Sequence, residues 1–132
     1  MSASAAFSST INVKGVSISA TADGTFASAT PTGGVGNLQT GGASGTQIYT
    51  MVFQGYGTSL AGIINIWLYD GSTYYLVDQV KFLGLAGSTT ASSERFVRSY
   101  ESLLIPATTW SLRVSSAVAS QKVVVTAFGG DL

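Results

Sequence analysis

The side chains of this chain that could perform acid–base chemistry are few. Glycoside hydrolysis needs two carboxyl groups on opposite sides of one bond. The available pairs are Asp70 with Asp78 and Glu94 with Glu101. Nothing in their spacing places either pair across a cleft, and two arginines lie between the glutamates. Glu94 and Glu101 are therefore expected to form ion pairs with these two arginines in solvent.

Histidine and cysteine are both absent from the sequence. Without them there is no thiolate nucleophile, no zinc site with the usual ligands and no Ser-His-Asp triad. Asp70 beside Gly71 is interpreted as a turn pair, because a calcium loop needs a repeating array of oxygen ligands. The glycines between Gly33 and Gly45 are not followed by the Gly-Lys-Ser/Thr of a phosphate-binding loop. The sequence predicts no enzyme, no metal site and no cofactor.

Composition limits the possible partners. The 132 residues suit a single domain, and charged residues make up only 9% against 45% hydrophobic ones. Six basic residues balance six acidic ones, so the chain has no excess of positive charge with which to bind nucleic acid or an anionic membrane. The longest apolar stretch, 60–69, is too short to span a bilayer as a helix. Because low net charge favours association, we expect an oligomer.

The C-terminal part of the chain contains two strand patterns. Trp110, Leu112 and Val114 alternate with polar residues, which is the pattern of a half-buried strand with these three side chains in the core. The β-branched run 123–126 indicates a strand that is buried on both faces and stopped by the Gly-Gly pair at 129–130. The short polar segment 117–121 between them predicts a hairpin.

The middle of the chain carries further strand patterns. In the segment 46–54, alternation puts Ile48 and Val52 on one face and Tyr49, Met51 and Phe53 on the other. Two alternating apolar runs, up to residue 69 and from residue 74, flank an Asp-Gly pair at 70–71. An Asp-Gly pair in that position is a strong hairpin signal.

The N-terminal third has weaker patterns. Residues 1–10 are rich in serine and alanine and form a predicted flexible arm, because they offer too little apolar surface to offset their ordering entropy. Ile11 and Val13 alternate, and the phase changes at Gly15, which predicts a strand with a bulge. A short strand is expected around Phe26. The Gly-rich segment that ends at Gly45 is expected to be a long loop.

These patterns together give the fold class. About eight short strands separated by Gly-rich turns, with hardly a helical period, are typical of all-β domains. We therefore predict a single-domain antiparallel β-sandwich or jelly roll over residues 11–132, preceded by the arm 1–10.

Aromatic residues on the central strands allow two interpretations. Exposed aromatics on a sheet face suit stacking on sugar rings or a protein interface, whereas buried ones fill a sandwich core. The core interpretation is favoured for Trp110. Trp67 and Tyr69 share a face with Asn65, and for them both interpretations stay open.

Four segments of the chain carry a family resemblance. They are Gly62 to Gly71 with its Tyr-Asp-Gly ending, Leu104 to Pro106, Trp110 to Ser115, and Ala127 to Asp131. In this order they resemble a family of small structural proteins encoded in the virion gene clusters of tailed bacteriophages. The resemblance covers the chain from about Gly42 onward. Here residues 107–109 make a longer turn after the proline than is usual in that family.

The resemblance implies a virion component. Small all-β proteins of this kind commonly act as capsid cement or decoration proteins, made in the host cytoplasm and bound to the outer capsid surface. The implied partners are the major capsid protein and further copies of the chain, commonly as a homotrimer, with no nucleic acid and no membrane. The arm is expected to add to another chain as a strand, with Phe7 as its apolar anchor.

Four residues are the candidate partner contacts: Phe7, Ile11, Trp67 and Tyr69. The alternative function is a tail- or fibre-associated carbohydrate-binding module, in which exposed aromatics contact host glycans. A small glycan hydrolase ranks third, because no base, orienting group or oxyanion site can be named.

Overall fold

The computed structural model describes residues 10–18, 31 and 34–132. Within these residues the chain forms eight β-strands and no helix. The strands are β1 Thr10–Ser17, β2 Val35–Thr40, β3 Thr46–Gly55, β4 Ala61–Tyr69, β5 Tyr74–Leu83, β6 Arg95–Ile105, β7 Ser111–Ser116 and β8 Val123–Asp131. The predicted all-β sandwich is confirmed. Residues 1–9, with Phe7, and the expected strand around Phe26 lie outside the described residues.

The strands form two four-stranded antiparallel sheets. Sheet I has the order β1-β8-β3-β6 and sheet II the order β2-β7-β4-β5. Strand β1 pairs with β8, β2 with β7, β3 with β6 and β4 with β5, as if one long hairpin had been folded over itself. Two further ladders, β3 with β8 and β4 with β7, complete the sheets. This strand order is that of a jelly roll.

The chain connections around β7 and β8 differ from the sequence expectation. The predicted hairpin between these strands is wrong, because β7 belongs to sheet II and β8 to sheet I. The segment 117–121 instead crosses from one sheet to the other. Among the eight described strands, β4 and β5 are the consecutive pair that forms a hairpin, and that prediction is confirmed.

The core lies between the two sheets. Sheet II contributes residues such as Ile64, Ile66 and Leu112, and sheet I contributes residues such as Met51 and Phe53, all of them buried. Alternation correctly placed Leu112 and Val114 inside. Trp110 precedes β7, is half-buried and packs against this core.

Two expectations for the N-terminal part are wrong. Strand β1 pairs with β8 in continuous register, so the phase change at Gly15 marks no bulge. It marks a change of face instead, with Ile11 and Val13 pointing outward and Val16 packing against the core. The segment expected to be one long loop up to Gly45 contains β2, whose residue Leu38 is buried in the core.

A bulge in β3 explains why alternation assigned its faces incorrectly. The register shifts between Ile48 and Thr50, so Tyr49 is an extra residue relative to β8. As a result Ile48, Met51 and Phe53 are all fully buried, whereas Val52 is only half-buried. The pattern assumed one unbroken period of two, and a single inserted residue changed its phase.

The Gly-Gly pair near the chain end does not stop β8, which continues to Asp131. The carboxylate of Asp131 accepts hydrogen bonds from the Asn12 side-chain amide at 2.7 Å and from the Thr46 hydroxyl at 2.6 Å. Because Asn12 lies in β1 and Thr46 in β3, this carboxylate joins the two strands that flank β8. The closing Phe-Gly-Gly-Asp segment therefore has a structural role.

Asp70 organises the β4–β5 turn. Its carboxylate accepts hydrogen bonds from the backbone N–H of Thr73 at 2.7 Å and of Ser72 at 2.9 Å. The next residue, Gly71, has a φ of 102°, a conformation that glycine adopts without strain. The Thr73 and Ser72 N–H groups stabilise the carboxylate and hold the pKa of Asp70 below its usual value of 3.8. The interpretation of Asp-Gly as a turn pair is confirmed.

This turn predicts a pH dependence of stability. A carboxyl group whose pKa is lower in the folded state contributes stability above its unfolded pKa and loses it as the pH falls through its folded pKa. We therefore expect the free energy of unfolding of the wild type to fall below about pH 4 more steeply than that of Asp70→Asn. Urea denaturation at a series of pH values measures both slopes. Equal slopes would show that the turn does not stabilise the charged form.

Candidate functional site

The outer face of sheet I is the candidate site, and we call it the open face. It consists of the residues whose side chains point away from the core in four successive rows across the sheet. From β1 to β6 these rows are Ile11, Gly130, Gln47 and Leu104; Val13, Phe128, Thr50 and Ser99; Gly15, Thr126, Val52 and Val97; and Ser17, Val124, Gln54 and Arg95.

Large apolar side chains of the open face are exposed. Ile11 is 84% exposed, Val13 56% and Val97 52%, although β-branched residues of this kind are usually buried. Leu104 and Phe128 on the same face are also exposed. These five residues come from β1, β8 and β6, so the apolar surface reaches from one edge of sheet I to the other.

Charge is nearly absent from the open face. Among the paired outward residues the charged side chain is Arg95, at one corner, and none is acidic; the exposed Glu101 lies in the unpaired part of edge strand β6. The remaining polar residues are Ser, Thr and Gln, which are neutral. Such a surface cannot attract a charged ligand over a distance. Burying it costs less than burying a charged surface, provided that its hydroxyl and amide groups find hydrogen-bond partners.

The size of the open face fits a protein contact. Strands lie about 4.8 Å apart and same-face residues along a strand about 6.8 Å apart, so four strands with four outward residues each cover roughly 500 Å² in projection. The apolar side chains occupy part of this area, and the largest apolar patches of monomeric proteins, about 300–600 Å², are often functional. A sheet face of this breadth suits a protein partner better than a small molecule, which prefers a concave pocket.

The four predicted contact residues are not brought together. Ile11 lies at a corner of the open face, whereas Phe7 is outside the described residues. Trp67 is fully buried and Tyr69 half-buried, and both lie on the outward-pointing side of sheet II. The expectation that Trp67 offers a contact surface is therefore corrected: its ring is covered within the chain itself.

The aromatic residues around Trp67 contact one another. The Trp67 indole Nε1 donates a hydrogen bond to the Ser115 hydroxyl at 2.8 Å, and its ring meets that of Tyr74 edge-on at 6.0 Å. Tyr69 stacks on Tyr74 with ring centroids 4.2 Å apart, and the guanidinium of Arg113 lies 4.6 Å from the Tyr69 ring centroid. These rings are already paired inside the chain and do not form a free stacking platform.

The carboxylates have structural partners. Glu94 accepts hydrogen bonds from the backbone N–H of Leu83 at 2.8 Å and of Gly84 at 3.0 Å, and from the Ser59 hydroxyl at 2.9 Å. Glu94 thus fastens the end of β5 and the loop before β4 to the start of β6. The expected ion pairing of Glu94 with a neighbouring arginine is wrong, while Glu101 is exposed.

Asp78 takes the ion pair instead. Its carboxylate lies 3.3 Å from the Arg98 guanidinium and accepts a hydrogen bond from the Tyr100 hydroxyl at 2.9 Å. Burial raises the pKa of Tyr100 above its usual value, and the hydrogen bond to Asp78 contributes a smaller increase. Asp78 lies in β5 and the other two residues in β6, so the cluster joins the adjacent edges of the two sheets.

An open groove lies next to this cluster. It has a volume of about 370 Å³ and is lined by Leu68, Val77 and residues 100–104. Strand β6 departs here from its pairing with β3, between Ser99 and Leu103. The lining contains one carboxylate, Glu101, and the phenol of Tyr100, whose hydroxyl donates its hydrogen bond to Asp78. The described residues hold no group of three or more side chains that could bind a metal ion. Glu101 therefore has no second carboxylate in the lining of the groove with which to form the pair that glycoside hydrolysis needs.

A scan against protein-family models and a search of curated proteins gave no match to this sequence. In the part of the chain that the structure describes, there is no helix that could span a membrane. The functional assignment therefore depends on the geometry of the chain itself.

The sequence contained a signal for the open face that was interpreted differently. The apolar residues Ile11 and Val13 stand at odd positions and Val16 and Ile18 at even ones. Apolar residues therefore point to both sides of β1. That pattern was interpreted as a bulge. In an edge strand without a bulge, it means that an apolar surface remains outside the core.

Proposed function

We propose that this chain is a structural protein of a tailed-bacteriophage virion, a decoration protein that binds the outer shell of the major capsid protein as an oligomer and stabilises it. The observation that carries the proposal is the open face, which is broad, apolar and almost free of charge. Such a surface is suited to holding proteins together.

The fold and the sequence motifs support the same function. Jelly rolls occur in viral capsid domains and in lectins, so the fold is compatible with a virion role by analogy. Two of the segments that resemble phage virion proteins form most of β4 with its turn and most of β7, and the other two form the ends of β6 and β8. All four therefore belong to the scaffold of the sandwich.

The carbohydrate-binding alternative has less support. A lectin-like site needs aromatic rings with a free face for stacking on sugars. Trp67 is fully buried, Tyr69 and Tyr74 stack on each other, and Tyr75 stacks on Trp110 at 5.8 Å. Phe128 is the exposed aromatic residue among the paired outward positions of sheet I, and the large side chains around it are aliphatic, which favours a protein partner.

Cryo-electron microscopy of intact particles of the phage that encodes the chain tests the proposal. We expect many copies on the outer capsid surface, and capsids that lack the protein should open at a lower temperature than complete ones. A few copies confined to the tail would favour the carbohydrate-binding alternative. A protein absent from the particles would overturn the proposed function.

A further inference from the structure

We infer that the open face binds the open face of a second copy of this chain, so that two subunits form a dimer with their sheets I stacked. The inference deepens the proposed function by assigning the open face to the contact within the oligomer, which leaves attachment to the capsid to other surfaces of the dimer. It rests on the proposed function for the place of the dimer on a capsid, but its test needs only the purified protein.

Charge favours a second copy over a charged partner. The open face carries Arg95 at one corner and no acidic residue among the outward positions of its ladder, so it has no pattern that a charged surface could complement. Two open faces in contact would bury neutral side chains. Arg95 would stay at the rim, where its guanidinium remains in water and pays no desolvation penalty. The balanced charge of the whole chain, six basic against six acidic residues, opposes pairing only weakly.

Shape and area also favour this partner. Sheets pack face to face about 10 Å apart when their facing side chains are of moderate size, as in any sandwich core. Val13, Val52, Val97 and Thr126 on the open face are side chains of that size. Two faces of roughly 500 Å² each bury about 1,000 Å², near the lower limit of specific interfaces. We therefore expect a reversible dimer whose population depends on concentration.

The symmetry of such a contact fixes the number of subunits. A surface that binds its own copy forms a two-fold contact, which closes with two subunits and leaves no copy of the same surface free. A trimer needs two different surfaces that meet head to tail. The structure thus favours a dimer as the unit in solution, in contrast to the homotrimer that the family resemblance implies.

Charge substitutions on the open face test the inference. Val13 in β1 and Val97 in β6 lie near opposite edges of the face and are more than half exposed, so the double variant Val13→Glu/Val97→Glu should fold as a monomer. We expect analytical ultracentrifugation to show the wild type shifting with concentration from 13.5 kDa towards twice that mass. Like charges in the contact should weaken the dimer by about 100-fold or more.

The matched control is Val77→Glu, the same substitution in β5 of sheet II at a residue that is 38% exposed. This variant should dimerise like the wild type. A second control mixes the double glutamate variant with Val13→Lys/Val97→Lys. Opposite charges then face each other in any face-to-face register, so the mixture should dimerise although each variant alone does not. Circular dichroism verifies that every variant keeps its β-structure.

Several results would overturn the inference. They are a wild type that stays monomeric at its highest soluble concentration, an oligomer that the double glutamate variant does not weaken, an equal loss in Val77→Glu, and a failure of the mixed variants to pair. None of these results bears on whether the protein is present on phage particles. A dimer that is absent from particles would conversely overturn the proposed function and leave the pairing of open faces intact.

Discussion

Replacing Trp67 by alanine is expected to lower the free energy of unfolding by about 3–5 kcal/mol, the range measured for truncating buried large aromatic residues. The indole is fully buried, donates a hydrogen bond to Ser115 and packs edge-on against Tyr74. Since single domains are stable by only about 5–15 kcal/mol, this loss is a large part of the total stability. Urea denaturation followed by circular dichroism measures the change.

Two further variants show whether burial is the cause. Trp110→Ala removes the same side chain from a half-buried position next to Tyr75, and it should cost less than Trp67→Ala. Trp67→Phe keeps most of the ring and loses the indole hydrogen bond, so we expect a loss of about 1–2 kcal/mol. A Trp67→Ala protein as stable as the wild type would mean that the ring lies at the surface, as the contact hypothesis assumed.

Gly129→Ala should destabilise the protein by about 3 kcal/mol or more, at the upper end of overpacking effects. Gly129 lies in β8 between β1 and β3, paired with Asn12 on one side and Ile48 on the other. A β-carbon at this position would overlap the backbone carbonyl oxygen of Gln47 in β3. Backbone atoms cannot rotate away as a side chain can, so the β3–β8 ladder itself would have to shift. Urea denaturation measures the loss of stability.

Gly15→Ala is the matched control in the same sheet. A β-carbon there would lie 3.3 Å from the Thr126 hydroxyl oxygen, which belongs to a side chain that can adjust. The residue is in the edge strand β1, and losing a glycine reduces the entropy of the unfolded chain. We expect a change within about 1 kcal/mol of the wild type in either direction. Equal effects of the two substitutions would contradict the close approach at Gly129.

Local patterns predicted the features that depend on neighbouring residues in the chain. The Asp70–Gly71 turn was predicted correctly because its hydrogen bonds connect residues two or three positions apart. Alternation in β7 was reliable because β4 and β7 pair in continuous register, with Leu112 and Val114 directed into the core. Fold class follows from such features, since most of the strands carry a local alternation pattern of their own.

Features that depend on distant residues were not predictable in the same way. Strand β8 belongs to sheet I because it pairs with β1 and β3. The residue types of the segment 117–121 do not indicate this pairing. The extra residue at Tyr49 reversed the faces of β3, because a period-two pattern carries no mark of an insertion. Strand β2 was hidden in a segment of Gly, Asn and Gln, where Leu38 alone reaches the core.

The candidate site was only partly predictable for a related reason. Ile11 was named as a candidate contact, and the structure places it on the open face. Trp67 was named because of its residue type and its polar neighbours. Burial of its ring depends on Tyr74 and Ser115, which come from two other strands, and residue type alone does not show how many neighbours a ring has.

The nested pairing of strands has a consequence for how the protein folds during synthesis. The outermost ladder joins Thr10 to Asp131, almost the full length of the chain, whereas the β4–β5 hairpin closes within a few residues. Folding rates fall as the sequence separation of contacts grows, because each long loop must lose entropy before its contacts form. Edge strand β1 has no partner in its sheet until β8 has left the ribosome. During synthesis β1 therefore stays unpaired until β8 is available. In this period aggregation competes most strongly with folding.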